Sequence, residues 1–154
     1  EVIGPNVFKG YWQMPEKTAA EFRKDGWFIT GDLSTMDKEG RVSIVGRAKD
    51  LIISGGYNIY PKEIEGEIDL IPGVKESAVI GVPHKDFGEG VTAVVVADGS
   101  ADISESVIVS ALDCKLARFK QPKRVYIVDE LPRNTMGKVQ KAQLRDQYQD
   151  SYAS

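Results

Sequence analysis

The sequence predicts an α+β fold in which a small mixed or antiparallel sheet is flanked by helices and preceded by a β-rich end piece. Two runs rich in β-branched residues, 78–82 and 91–96, predict paired strands of a central sheet. Two segments that begin at Pro61 and Ser104 carry apolar residues at helical spacing. Strands and helices that follow one another without a strict β–α repeat are typical of the α+β class.

The first 50 residues predict a short helix followed by a hairpin. Pro15 suits the first turn of a helix that runs to about residue 22. The turn-forming residues 37–40 separate two short segments, 32–36 and 41–45, that we expect to pair as strands. Charged residues then interrupt the apolar pattern, so we place a domain boundary at 48–50.

The helix that begins at Pro61 has its apolar residues at i, i+4 and i+7, namely Ile64, Ile68 and Ile71. The same helix carries three glutamates that are expected to face mostly water: Glu63, Glu65 and Glu67. Pro72 and Gly73 should end the helix. The two central strands follow it, joined by a loop over residues 84–90 in which we expect His84 to have no catalytic partner.

Ser104 is a good N-cap for a second helix, which we expect to reach residue 117. Its expected apolar stripe comprises Val107, Ile108, Ala111, Leu112 and Leu116. The same helix should bury Cys114 as a small core residue. A third strand over 125–128, a loop over 129–137 and a polar helix over 141–148 complete the expected order of elements.

The composition excludes several classes of function. The 154 residues include 20 basic and 23 acidic side chains, for a formal charge of −3, so no bulk attraction to nucleic acid or to an anionic membrane is expected. The apolar runs are strand-sized, far short of the roughly 20 residues that span a bilayer. One Cys excludes an intrachain disulfide and, with one His, a structural zinc site. A cytoplasmic location fits best, and a chain without an initiator Met or signal peptide suggests an excised piece.

Four stretches together carry the functional information. Residues 26–32 read GWFITGD, 46–65 read GRAKDLIISGGYNIYPKEIE, 116–122 read LARFKQP and 132–138 read PRNTMGK. Their order and spacing resemble those of adenylate-forming enzymes, the superfamily of acyl-CoA synthetases, firefly luciferase and peptide-synthetase adenylation domains. No GxxxxGK[ST] motif occurs, so no P-loop is expected.

The resemblance implies that different parts of the chain belong to different domains. Residues 1–47 would be the C-terminal end of a large N-terminal domain, 48–50 a hinge, and 51–154 the small mobile C-terminal domain of these enzymes. The rest of the large domain, with the adenine and acid pockets, would lie upstream of this chain. ATP, Mg²⁺ and CoA as co-substrate are implied, together with a small carboxylic acid as the substrate.

The resemblance also assigns roles to individual residues. Lys138 takes the place of the catalytic lysine, which stabilises charge while a carboxylate attacks ATP. Asp32 and Arg47 fall on positions that bind the ribose and phosphate region of ATP or AMP. By itself, a carboxylate after a Thr-Gly turn could either accept hydrogen bonds from a vicinal diol or simply face solvent.

Five further residues concern the hinge and the CoA half of the reaction. Asp50 is the candidate pivot, since a hinge needs an exposed residue whose dihedrals can change. Ser54, Gly55 and Gly56 border the pantetheine channel by resemblance. Arg118 belongs to a basic group that could meet the phosphates of CoA, although a solvated face is an open alternative.

The resemblance implies that the parent protein makes an acyl-CoA through an acyl-adenylate, whereas the chain alone would be inert. Residues 72–96 look especially like those of malonyl-CoA synthetases, so malonate is the expected acid, with aryl and medium-chain acids as alternatives. The stretch 132–138 also resembles a target of protein lysine acetyltransferases. An isolated module that serves as an acetyltransferase substrate is therefore a competing hypothesis.

Overall fold

The computed structural model describes residues 1–153, which divide into two compact units, one comprising Glu1–Lys49 and one beginning at Asp50. The elements of the first unit are α1 (Pro15–Glu21), β1 (Asp32–Met36) and β2 (Val42–Arg47). Those of the second unit are β3 (Ile52–Ser54), β4 (Tyr57–Ile59), α2 (Pro61–Ile68), β5 (Val74–His84), β6 (Gly88–Ala97), α3 (Glu105–Leu112), β7 (Arg124–Val128) and α4 (Lys141–Tyr148).

The first unit consists of α1, the β1–β2 hairpin and the segments around them. Asp37 closes the hairpin turn, because its carboxylate accepts hydrogen bonds from the backbone N–H groups of Glu39 and Arg41. Both the helix and the antiparallel pairing agree with the sequence prediction. Phe8 packs edge-on against Phe22 and Phe28, with ring centroids 5.1–5.3 Å apart.

The second unit is built around β6. Strand β5 pairs with it antiparallel along almost its whole length, and β7 pairs with it in parallel over residues 92–96. The N-terminal residue of β6, Gly88, pairs with Ser54 of β3, which forms a hairpin with β4. The strands are longer than the sequence predicted, so the expected loop over 84–90 shrinks to a turn over 85–87.

Residues alternate between the two sides of each strand, and both faces of this sheet are buried because helices pack on both sides. One face packs on α2 and α3 through a cluster that includes Ile64, Ile68, Ile108, Leu112 and Val79. The opposite face packs on Leu144 of α4 through Ala78, Ile80, Val82, Val94 and Val96. The predicted α+β class, with helices flanking a small mixed sheet, is confirmed.

Four details of the sequence prediction are wrong, namely the end of α3, the burial of Cys114, the burial of Val107 and the exposure of Glu65. Helix α3 ends at Leu112, and the following backbone reverses at Cys114, which has a φ of +69° and an exposed thiol. Val107 is 39% exposed rather than part of the buried stripe. Glu65 is buried instead of facing water, because its carboxylate forms an ion pair with Lys141 and accepts a hydrogen bond from the backbone of β5.

The C-terminal segment packs Tyr152 against the backbone of β6 at Gly90. The phenol lies 2.9 Å from Thr92 Oγ1 and donates to the carbonyl of Val91 at 3.1 Å, while burial raises the pKa of Tyr152. A Cβ on Gly90 would lie only 2.3 Å from the Tyr152 ring. Position 90 therefore accepts only glycine while Tyr152 stays in place.

We expect Gly90→Ala to lower the free energy of unfolding by about 1–3 kcal/mol, since overpacking displaces the ring. Urea denaturation followed by far-UV circular dichroism measures the change. Gly66→Ala is the matched control, because Gly66 lies within α2 and has nothing within 4 Å of its added methyl group. That control should stabilise the chain by roughly 0.5–1 kcal/mol. Equal effects of the two changes would contradict the packing at Gly90.

Among the described residues, no helix has the length and apolar character that crossing a membrane requires.

Candidate functional site

The β1–β2 hairpin brings Asp32 and Arg47 together. These residues are register partners at the open end of the hairpin, and Arg47 Nε lies 2.8 Å from Asp32 Oδ1. Arg47 Nη1 also donates to the carbonyl of Thr30 at 3.0 Å, which fixes the guanidinium beside the turn. Asp32 is the less exposed of the two side chains and uses one carboxylate oxygen in this contact, so its other oxygen can accept hydrogen bonds from a ligand.

A cleft of about 680 Å³ lies beside this pair within the first unit, and its lining includes Tyr11, Lys17 and Glu21. The Tyr11 hydroxyl donates a hydrogen bond to the Glu21 carboxylate, and this bond raises the pKa of Tyr11. The ammonium of Lys17 lies 4.3 Å from the centre of the Tyr11 ring, a cation–π contact. Sequence reasoning missed all three residues, which stand far from Asp32 in the chain and lie in no motif.

Lys138 ends a tight turn in the second unit. Asn134 Oδ1 accepts hydrogen bonds from the backbone N–H groups of Met136 at 3.0 Å and Lys138 at 2.9 Å. Two backbone bonds close the same turn, from Asn134 N–H to the Lys138 carbonyl and from Gly137 N–H to the Asn134 carbonyl, each at 2.9 Å. The backbone of this turn is therefore extensively hydrogen-bonded.

The side chain of Lys138 is free to meet an anion. Lys138 is exposed, and within the described part of the second unit no carboxylate lies within salt-bridge distance of its ammonium. Gly137 has a φ of +79°, a conformation that glycine adopts without strain, and this allows the reversal that exposes the lysine. The turn thus presents one unpaired positive charge.

Asp50 is less exposed than a pivot was expected to be. It is the last residue of a single 3₁₀ turn over Ala48–Asp50, and Arg145 of α4 forms an ion pair with it at 3.2 Å. The Asp50 side chain is only 17% exposed. The expectation of a solvent-facing Asp50 is wrong, because α4 covers it.

The β3–β4 turn has an exposed face that we call the glycine-turn face, formed by Gly55, Gly56, Tyr57 and the stacked Phe119, together with Arg118, which precedes Phe119 in the chain. Both glycines have positive φ, +58° and +82°, as a two-residue type I′ turn requires. The rings of Tyr57 and Phe119 stack with centroids 4.5 Å apart. Two members carry exposed apolar surface, Tyr57 at 56% and Phe119 at 39%.

The candidate CoA residues differ in their access to this face. Ser54 is only 4% exposed, so its contribution can come only through the backbone or a small remaining surface. Arg118 is exposed and lies at the start of the 3₁₀ turn Arg118–Lys120. In the same basic group, Lys120 is ion-paired with Glu63 and Lys115 with Glu67. Among the described residues, Arg118 forms no ion pair, and the ammonium of Lys123 in the same group lies 4.0 Å from the centre of the Phe87 ring.

The described residues contain no group of three or more His, Cys, Asp or Glu side chains that could hold a metal ion. The Mg²⁺ of a nucleotide needs only one or two protein carboxylates besides the phosphates, so this finding concerns resident metal sites alone.

Comparison with known proteins gives the same family from sequence and from structure. Residues 63–138 match the model of the AMP-binding enzyme C-terminal domain. A long-chain-fatty-acid–CoA ligase of Mycobacterium tuberculosis is 49% identical over 142 residues, which are 92% of this chain and 28% of that protein. A feruloyl-CoA synthase of an Amycolatopsis species is 49% identical over 148 residues, 96% of this chain and 30% of that protein.

A solved structure is also similar. The crystal structure of ATP-bound MatB from Rhodopseudomonas palustris is 67% identical, with a TM-score of 0.87, over 97% of this chain and 30% of that one. The chain thus spans less than a third of the length of these relatives. The four motifs, the matched fold and these relatives agree, and the chain belongs to the adenylate-forming acyl-CoA synthetase superfamily, of whose members it represents the C-terminal portion.

Proposed function

We propose that the protein to which this chain belongs is an ATP-dependent acid:CoA ligase. It joins a carboxylic acid to CoA through an acyl-adenylate and releases AMP and pyrophosphate. The observation that carries the proposal is the presentation of Lys138, an exposed and unpaired ammonium at the end of a hydrogen-bonded turn, in a chain of this superfamily. The relatives are named as ligases and synthases of this kind.

In the first half-reaction, a carboxylate oxygen of the acid attacks the α-phosphorus of ATP and pyrophosphate leaves. Negative charge spreads over the phosphoryl oxygens, and a fixed cation lowers the energy of that transition state. Lys138 supplies the cation. Asp32 accepts hydrogen bonds from the ribose hydroxyls, and Arg47 holds Asp32 in place while facing the ribose and phosphate region.

In the second half-reaction, the sulfur of CoA attacks the acyl carbonyl and AMP leaves. The glycine-turn face is suited to CoA, because exposed rings can stack on an adenine and Arg118 can pair with phosphates. Gly55 and Gly56 allow the pantetheine chain to approach the backbone closely. Because Lys138 and this face serve different steps, we propose that the second unit turns about Asp50 between them.

In this proposal, residues 1–47 are the end of a large N-terminal domain, 48–50 the hinge and 51–154 the mobile domain. The large domain supplies the adenine pocket, the acid pocket and any groups that accompany the Mg²⁺ of the nucleotide. The chain alone is then inert and binds ATP weakly. We propose the cytoplasm as the location of the whole enzyme.

We propose malonate as the acid, because residues 72–96 resemble those of malonyl-CoA synthetases. The residues that select the acid lie outside this chain. A fatty or aryl acid is therefore the alternative, since relatives named for long-chain fatty acids and for ferulate are 49% identical.

The test is AMP formation by the full-length protein with ATP, Mg²⁺, CoA and one acid at a time, chosen from malonate, ferulate, octanoate and palmitate. The proposal predicts AMP and acyl-CoA in equal amounts, with malonate giving the highest kcat/KM. Turnover with another acid but not with malonate would identify that acid as the substrate and would still support the ligase function. No acid-dependent AMP with any acid would contradict the ligase itself.

We expect Arg118→Ala to raise the KM for CoA roughly 10- to 150-fold and to leave the KM for ATP unchanged, because one charge-assisted contact to a phosphate is worth about 1.5–3 kcal/mol and every 1.4 kcal/mol is tenfold. Steady-state kinetics with each substrate varied in turn measures both values. Lys62→Ala is the control, an exposed lysine on α2 outside the glycine-turn face. An increase in the KM for ATP would argue against the CoA assignment.

The second candidate function is that of a substrate for a protein lysine acetyltransferase, which the exposure of Lys138 in its turn favours. Acetylation would remove the positive charge and stop the first half-reaction. Mass spectrometry after incubation with acetyl-CoA and a purified acetyltransferase tests it. Exclusively unmodified Lys138 would count against this function.

A further inference from the structure

We propose that Arg133, braced by Glu76, is a positioning residue that orients Lys138 for the first half-reaction. The inference rests on the proposed ligase function and deepens it. Arg133 itself touches neither substrate. It acts through the peptide bond that precedes Lys138.

Arg133 connects the lysine turn to the central sheet. Its Nη1 donates to the carbonyl oxygen of Gly137 at 2.6 Å, and its Nη2 forms an ion pair with the carboxylate of Glu76. Glu76 belongs to β5, where it is a register partner of Val96 in β6. The guanidinium therefore attaches a surface turn to the longest strand pairing of the fold.

The Gly137–Lys138 peptide is held at both of its polar atoms. Its carbonyl oxygen accepts from Arg133, and its N–H donates to Asn134 Oδ1 at 2.9 Å. A peptide bond is planar, so fixing the oxygen and the N–H fixes the plane that leads directly to the Cα of Lys138. Gly137 would otherwise sample many backbone conformations, because glycine has the largest conformational freedom of all residues.

The geometry requires an arginine. One guanidinium has several N–H groups in a planar fork and here binds two acceptors at once, the Glu76 carboxylate and the Gly137 carbonyl. A lysine has one ammonium on a flexible stem and would keep the charge without spanning both acceptors in the same plane. Arg133→Lys therefore separates positioning from charge.

The experiment uses Arg133→Lys and Glu76→Ala in the full-length protein, with the two half-reactions measured separately. Acid-dependent pyrophosphate release should fall roughly 5- to 30-fold in each variant, the equivalent of losing one or two well-placed hydrogen bonds. Acyl-CoA formation from supplied acyl-adenylate should be unchanged. Because the residues act as one unit, the double variant should lose little more than either single one.

The matched control is Arg41→Lys. Arg41 is also an exposed arginine that binds two carboxylates, those of Asp37 and Glu39, but it lies on the β1–β2 hairpin in the other unit. It should affect neither half-reaction.

Three results would overturn the inference. Wild-type pyrophosphate release in Arg133→Lys would show that the fork does not orient Lys138. Equal loss of both half-reactions would indicate a general structural role, and the same holds if the variant does not fold. Additive losses in the double variant would show that Glu76 acts independently of Arg133. Failure of the proposed function is distinguishable, because the wild-type protein would then lack acid-dependent pyrophosphate release altogether.

Discussion

Lys138→Ala should lower the rate of acyl-adenylate formation roughly 10²- to 10³-fold, because removal of one preorganised charge from a transition state has an effect of this size. The conversion of a supplied acyl-adenylate and CoA into acyl-CoA should keep its wild-type rate, because we propose that Lys138 serves only the first step. Single-turnover measurements of pyrophosphate release and of thioester formation give the two rates.

Two variants sharpen this prediction. Lys62→Ala removes an exposed ammonium from α2 and should leave both rates unchanged. Lys138→Arg keeps the charge but replaces a compact ammonium with a planar guanidinium, so we expect partial recovery. Equal loss of both half-reactions in Lys138→Ala would contradict a role confined to adenylation.

Glu65→Ala should lower the free energy of unfolding by about 2–4 kcal/mol, a larger loss than we expect from Gly90→Ala. The Glu65 carboxylate accepts from the backbone N–H of Val79 at 2.9 Å and lies 2.5 Å from the Lys141 ammonium. Alanine leaves a buried donor without a partner and leaves Lys141 unpaired, with a side chain only 18% exposed. Urea denaturation followed by far-UV circular dichroism reports the loss, because α2, α3 and α4 all belong to this unit.

The comparison within the same helix is Glu63→Ala. Glu63 forms its ion pair with Lys120 at the surface, where such pairs contribute about 0–1 kcal/mol. Glu65→Gln should fall between the two, because an amide oxygen can still accept from Val79. If Glu63→Ala and Glu65→Ala destabilised the chain equally, the buried network would have no special role.

Local signals predicted much of the fold. The bounds of α4 and the β1–β2 pairing follow from turn residues and polarity, which act within a few positions of the chain. The burial of Glu65 could not be predicted in this way. Its partner Lys141 lies 76 positions later in the chain, and only the packed fold brings the two together.

In the candidate site, too, local motifs were predictable and long-range contacts were not. Motifs singled out Asp32, Arg47 and Lys138, and the structure places the first two in contact. Three other contacts join distant positions: Asp50 pairs with Arg145, Glu76 pairs with Arg133, and Tyr57 stacks on Phe119. No spacing rule predicts such pairs, since each depends on the register and packing of several elements.

We propose that this chain completes an enzyme that activates an acid as its adenylate. The most direct measurement is the exchange of labelled pyrophosphate into ATP by the full-length protein without CoA. We predict exchange that requires the acid, does not require CoA and is lost in Lys138→Ala. Exchange that is absent without CoA, or that persists undiminished in Lys138→Ala, would contradict this claim.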